Sequence, residues 1–292
     1  MANLRDIRRR RKSVANTKKI TKTMELVASA KMKKAQVAAA ASRPYFEALN
    51  ALVGDLVAAR TDGAGELPLL SKRPVKKVTI YVCTSDRGLA GAFNANLVGL
   101  ALERAAAHRA QGREVRFIAL SKKAGSSLAF SGSPAAQVVS GIMDAPKYER
   151  ARAIAEDATK DFLAGTSDLT EVVYSRFITA SRQAPDYVTM LPVGAVASGD
   201  QVRSGPAVDY LYHPNPTELL ATLVPQLVKT MLYSTLLQTS SGEHAARRIA
   251  MKNATDAASD MGKALATVYN RGRQGKITQE IAEIVGAVEA MA

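Results

Sequence analysis

The segment Thr84-Ser85-Asp86-Arg87-Gly88-Leu89-Ala90-Gly91 holds the residue types nearest to a chemical site. Two hydroxyls, a carboxylate, a guanidinium and two glycines follow an apolar run and precede helix-favouring residues. A strand-to-helix turn is where α/β folds bind phosphates, because the helix N-terminus offers free N–H groups and partial positive charge. The spacing, however, fits neither G-x-G-x-x-G nor G-x-x-x-x-G-K-[ST]. The same residues serve equally as a tight turn at a sheet edge.

No other segment supplies a catalytic set. His108, His213 and His244 are scattered, and none has a second ligand at helical spacing, so no metal site is expected. A G-x-S-x-G elbow does not occur. Glu280 and Glu283 share one helix face, which is ordinary for solvated carboxylates. The single cysteine, Cys83, ends the apolar run that starts at Val78 and reads as a small core hydrophobe. One cysteine argues against a disulfide framework and a cysteine-rich zinc site, and fits a reducing compartment. The chain therefore reads as mechanical or interactive: no catalytic residue, no cofactor and no metal are expected.

The elements around these residues fall into three parts: 1–60, helix-favouring; 75–193, alternating between strand and helix; and 209–292, helix-favouring again. In the first, Asn3 suits an N-cap and Asp6 the positive helix start. Leu4, Ile7 and Val14, then Ile20, Met24 and Val27, recur at coiled-coil spacings. Unbroken, this helix would run about 85 Å at 1.5 Å per residue. Pro44 predicts a kink or a split near Ser42.

The last part opens on Asn215 as cap, Pro216 as first helical residue and Glu218 as capping-box carboxylate. Leu219, Leu223, Leu227 and Met231 step by four. Ala254, Ala258, Met261, Leu265 and Val268 step by four and three. Ile277, Ile281, Ile284, Val288 and Met291 follow in a shifted register. This helix could reach roughly 110 Å. Pro225, Ser240-Ser241-Gly242 and the pair Gly272 and Gly275 weaken it, at about 1 kcal/mol per interior glycine. Two helices this long must pack on each other or on other chains, and antiparallel pairing follows from the chain's return.

The middle part predicts strands at Lys77–Cys83, Glu114–Leu120, Leu169–Phe177 and Asp186–Val193, with helices at Asn94–Gln111 and Lys147–Leu163. This alternation implies a Rossmann-like, mainly parallel sheet covered on both faces. The fold class is thus α/β, with a long antiparallel two-helix coiled coil formed by the N- and C-terminal segments. No segment approaches the roughly 20 apolar residues that span a bilayer.

Formal net charge is +14. Residues 1–34 hold twelve Lys or Arg against Asp6 and Glu25. Such a block seeks an acidic partner: nucleic acid, anionic lipid or an acidic protein surface. A basic coiled-coil nucleic-acid-binding protein is therefore the alternative reading. Against it, antiparallel pairing would not fork a basic region into a DNA groove. An α/β enzyme using the Asp86–Gly91 loop is a second alternative.

Several motifs, in order, resemble the gamma subunit of F-type ATP synthases. They are Asn16-Thr17-Lys18-Lys19-Ile20-Thr21-Lys22-Thr23-Met24, continuing to Met32; Ser42-Arg43-Pro44-Tyr45; and Ser85 to Gly91. Ala246 to Asp256, and Tyr269 to Ile281, resemble the C-terminal shaft of that family. The Arg-rich start suits a mitochondrial transit peptide, but it carries the resemblance to bacterial chains instead.

The resemblance implies a central rotor shaft, itself non-catalytic. The helix pair stands inside three alpha and three beta subunits, with the α/β domain near epsilon and the membrane c-ring. Proton flow turns the c-ring and shaft, and the shaft drives the catalytic beta subunits through their nucleotide states. The partners implied are protein subunits and no nucleic acid. The implied location is the cytoplasmic face of a bacterial inner membrane, peripheral and not spanning. Coupling roles fall by similarity on Met24, Arg247, Gln274, Thr278 and Glu280, with Met24 facing the region of Gln274, Thr278 and Glu280. Tyr210 and Tyr212 fall on the foot that meets the c-ring. The apolar run 277–291 suits a tip held in a largely apolar sleeve. Gly275 stands where the family usually has Ala, and the paired cysteines of chloroplast gamma subunits are missing.

Overall fold

A computed structural model describes residues 4–58, 67–71, 73–193 and 215–291. Two helices, α1 (Leu4–Ala58) and α5 (Pro216–Glu289), flank the other elements in sequence. By contacts the chain divides into two units: Met1–Ala28 with Arg247–Ala292, and Ser29–Ala246.

In the first unit the ends of α1 and α5 pair antiparallel. Thr255 Oγ1 donates to Thr21 Oγ1 at 2.8 Å, and Lys18 Nζ donates to Ser259 Oγ at 3.0 Å. The Arg11 guanidinium lies 5.1 Å from the centre of the Tyr269 ring, and Leu4 lies over Gly272. The seam mixes small residues with two large aliphatic ones. Ile7, Thr21, Ala28, Met251, Thr255 and Ala258 are buried, and Val14 is half-buried. On α1 these fall at 7, 14, 21 and 28, a seven-residue repeat. The expected stripe through Ile20 and Val27 is displaced by one position, and both stay exposed. Apolarity misled there: paired threonines hold the contact, and those two aliphatics are left outside.

Neither proline ends its helix. The carbonyl freed by Pro44 belongs to Ala40, and that freed by Pro225 to Ala221; both residues are exposed, so water can take the lost bond. The start of α5 follows expectation. Asn215 Oδ1 accepts from Glu218 N at 2.9 Å, and Glu218 Oε1 accepts from Asn215 Nδ2 at 2.7 Å. Asn3 lies outside the described residues. One 18-residue window of α5 is apolar enough to cross a membrane by composition, contrary to the sequence expectation, and half of it is buried inside the protein. Leu220, Val224, Leu227, Val228 and Leu232 explain this, because they belong to the core of the second unit.

That unit centres on a five-stranded sheet of order β3-β2-β1-β4-β5. The strands are β1 (Lys77–Val82), β2 (Glu114–Ala119), β3 (Gln137–Val138), β4 (Leu169–Phe177) and β5 (Gln183–Leu191). The first four pair parallel, while β5 pairs antiparallel to β4. The edge strand β5 starts earlier than expected and tolerates Pro185, which an inner strand could not. Three further helices are α2 (Phe93–Ala110), α3 (Lys122–Phe130) and α4 (Tyr148–Leu163). Sequence reading missed α3 and β3. The run from Lys122 to Ser127 looks like a loop, and its helix is started by Ser121, whose Oγ accepts from Ala124 N.

Both faces of the sheet are covered. On one, Val78, Ile80 and Val82 pack with Leu97, Val98, Ala101 and Ala105 of α2. On the other, Tyr81 and Cys83 pack with α4, with Leu49, Val53 and Leu56 of α1, and with the start of α5. Alternate residues of β1 thus feed two cores, which is why its sequence is continuously apolar. Cys83 is fully buried, and burial pushes its thiol up to about 12 from 9.0. An unfolded thiol ionises first, so stability should fall from about pH 9 upward by about 1.4 kcal/mol per pH unit, levelling near pH 12. In alkaline urea melts, Cys83→Ala should lose this one-proton slope. An unchanged slope would show that Cys83 does not titrate in unfolding.

Candidate functional site

The loop after β1 is closed upon itself. Ser85 N donates to Asn94 Oδ1 at 2.9 Å, and Ser85 Oγ lies within hydrogen-bond reach of Asn94 Oδ1 and of the Arg87 carbonyl. Asp86 accepts from Lys122 N and from Gly141 N, both at 2.9 Å. Lys122 is the first residue of α3, so the Asp86 carboxylate caps the start of that neighbouring helix and not of α2, which follows the loop. The loop's own side chains thus tie it down as a tight turn at the sheet end. The result is a rigid turn with Ala90 buried beneath and Leu89 exposed at its tip, in the left-handed region at φ 65°. An exposed leucine held there is a strained one.

A second charged centre lies nearby in the chain's folded order, and sequence reading missed it. Lys31 Nζ donates to both oxygens of Asp144 at 2.7 Å, and His244 Nε2 lies 3.9 Å from the same carboxylate. The Lys31 hydrogen bond holds Asp144 below its ordinary range, and the His244 and Arg87 charges add to this. Residues 31, 144 and 244 carry no sequence signal, because they meet only in the fold. Glu171 is different. A carboxylate inside the apolar run of β4 was a visible anomaly, and the structure gives it Arg104 and His108 as partners.

The expected coupling residues divide between places. Met24 is half-buried on α1, and Arg247 is buried on α5. Gln274, Thr278 and Glu280 are exposed on α5; Thr278 Oγ1 donates to the Gln274 carbonyl, and Glu280 lies 3.5 Å from Lys276. Met24 does not face them. Residue 21 meets 255 and residue 18 meets 259, so antiparallel pairing puts Met24 level with residue 252. Gln274 is 22 residues further along α5, about 33 Å at 1.5 Å per residue. Tyr210 and Tyr212 lie outside the described residues. Beyond Tyr269 every described residue of α5 is exposed, including Ile277, Ile281, Ile284, Val285, Val288 and Met291. An apolar stripe of this length on a bare helix is a surface for other chains.

An antiparallel helix pair joined to a doubly covered α/β sheet, with a long exposed apolar stripe near the end of α5, defines a class of interaction proteins. The family model described as ATP synthase matches residues 3–291. The ATP synthase gamma chain of Pelotomaculum thermopropionicum is 38% identical over all of this chain and all of its own length. That of Cytophaga hutchinsonii is 37% identical over all of this chain and 99% of its own. The rotor chain in a Euglena gracilis mitochondrial ATP synthase structure has the same fold, with a TM-score of 0.66 at 19% identity, covering 94% of this chain and 98% of that one. The chain belongs to the ATP synthase gamma chain family.

Proposed function

We propose that this chain is the central rotor shaft of a proton-translocating F-type ATP synthase, transmitting c-ring rotation to the catalytic beta subunits. The observation that carries this, beyond family membership, is the bare apolar stripe from Ile277 to Met291 on a helix whose lower part is paired with α1. A shaft tip must be held in place without being anchored, and an apolar surface does this because its contacts are non-directional. The chain is a non-catalytic subunit. Its partners are three alpha and three beta subunits, epsilon and the c-ring. The complex is membrane-associated, and we place it on the cytoplasmic face of a bacterial inner membrane. Residues 1–60 and 209–292 act as the shaft and 75–193 as the globular body. Tyr210 and Tyr212 belong to the foot. Co-expression with alpha and beta subunits should yield one complex containing this chain; an active monomer free of them would overturn the reading.

Met24, Arg247, Gln274, Thr278 and Glu280 remain the coupling residues of this proposal, now as separate contact levels along the shaft. Met24→Lys adds a cation to a half-buried position, level with Lys252 and among the basic residues of α1. It should lower proton pumping per ATP hydrolysed several-fold while leaving assembly intact. Equal ratios in the two complexes would remove Met24 from the set.

A further inference from the structure

A groove of about 620 Å³ lies between α1 and α5, wholly within the first unit. Arg8, Arg11, Lys12 and Lys18 line it from α1 and Lys263 from α5. No carboxylate lines it. Of the acids within two positions of its lining, Asp260 lies 3.3 Å from Lys263, Asp6 lies 3.6 Å from Arg9, outside the lining, and Asp256 is the third. Neither Arg8 nor Lys12 is paired with a carboxylate among the described residues. The hollow exists because its floor is small: Ala15, Ala258 and Gly262 leave the room that larger side chains would fill.

We propose that this groove binds a compact polyphosphate oxyanion, a pyrophosphate-type group either free or carried by a nucleotide. Five cations around one hollow repel one another, and a multivalent anion relieves that repulsion most effectively. Arg8, Arg11 and Lys12 are spaced i, i+3 and i+4, so they rise from one helix face. Two guanidinium forks and an ammonium there match the bidentate oxygens of linked phosphates. Part of the site is set in advance. Arg11 rests on the Tyr269 ring, and Lys18 donates to Ser259 Oγ. From Arg8 to Lys18 the groove runs about 15 Å, and its volume falls in the small-ligand range.

An acidic protein segment has the complementary charge, and the polyglutamate arm of the titration below tests it directly.

The test is calorimetric titration of the purified full chain at constant ionic strength, with pyrophosphate, ADP, AMP and a polyglutamate peptide. Pyrophosphate and ADP should bind saturably at one per chain, with AMP at least tenfold weaker. Equal affinity for pyrophosphate and ADP identifies the phosphates alone as the determinant; tighter ADP identifies a nucleotide as the source. Arg8→Gln with Arg11→Gln should weaken pyrophosphate at least tenfold at unchanged helix content. Arg8→Lys with Arg11→Lys, which keeps the charge and loses the forks, should weaken it several-fold. Lys19→Gln with Lys33→Gln, outside the groove, should change it less than twofold. The proposal is overturned by non-saturable heat, by equal weakening from the Lys19 and Lys33 changes, or by polyglutamate binding more tightly than pyrophosphate.

Discussion

Glu171→Ala should cost about 3–5 kcal/mol of folding stability, the range for removing one partner of a buried ion pair. Its side chain is 2% exposed, and Arg104 binds it through two nitrogens, Nη2 to Oε1 at 2.5 Å and Nε to Oε2 at 3.2 Å. His108 Nε2 lies 3.2 Å from Oε1, while its Nδ1 lies 3.0 Å from Arg113 Nη1. A guanidinium can only donate, so Nδ1 accepts from Arg113, while Nε2 also lies 3.4 Å from Arg104 Nη2. The carboxylate thus accepts both Arg104 bonds, and alanine leaves the guanidinium without them. Arg104 also stacks on Tyr187, 4.0 Å from the ring centre, which keeps it from swinging out to water. Urea melts of Glu171→Ala, Arg104→Ala and the double variant should show strong coupling, because the second change removes a charge the first left bare. A loss below 1 kcal/mol for Glu171→Ala would show that water enters and solvates the site.

Gly242→Ala should destabilise the protein despite replacing a helical glycine. A Cβ there would lie 2.6 Å from Ser175 Oγ, 3.3 Å from Ser175 Cβ and 3.4 Å from Phe93 Cε2. The helix gains about 1 kcal/mol from alanine, but overpacking costs typically 1–3 kcal/mol. The clash should win, because Ser175 sits on β4 with its N–H already donated to Thr239 Oγ1 of α5 at 3.2 Å. Strand and helix are fastened at that point and cannot separate freely. Ser175→Ala removes the 2.6 Å contact and should recover most of the loss. Thermal melts decide it: no rescue, or a Gly242→Ala protein more stable than its parent, would place the spacing elsewhere.

These two sites show where sequence reading stopped. Gly242 looks like a weakness in α5 by residue type, yet it is a point where α5 lies close against Ser175 of β4. Glycine was legible; the close approach that requires it was not, since Ser175 is 67 positions away.

The sequence by itself determined the element types and their order, α3 and β3 excepted. Continuous apolar runs made strands of β1 and β4, Asn215 and Glu218 started α5, and ordered motifs carried the family resemblance. These signals are local, so they survive without the fold. The tertiary structure alone decided the pairing. It chose Thr21 and Ala28 for the seam over Ile20 and Val27, because two threonines could meet across a narrow gap. It set Asp86 of the loop after β1 on the start of α3, gathered Lys31, Asp144 and His244, and separated Met24 from Gln274 by the antiparallel register. Each is a contact between distant residues, fixed by how helices and strands pack and not by any residue's own preference.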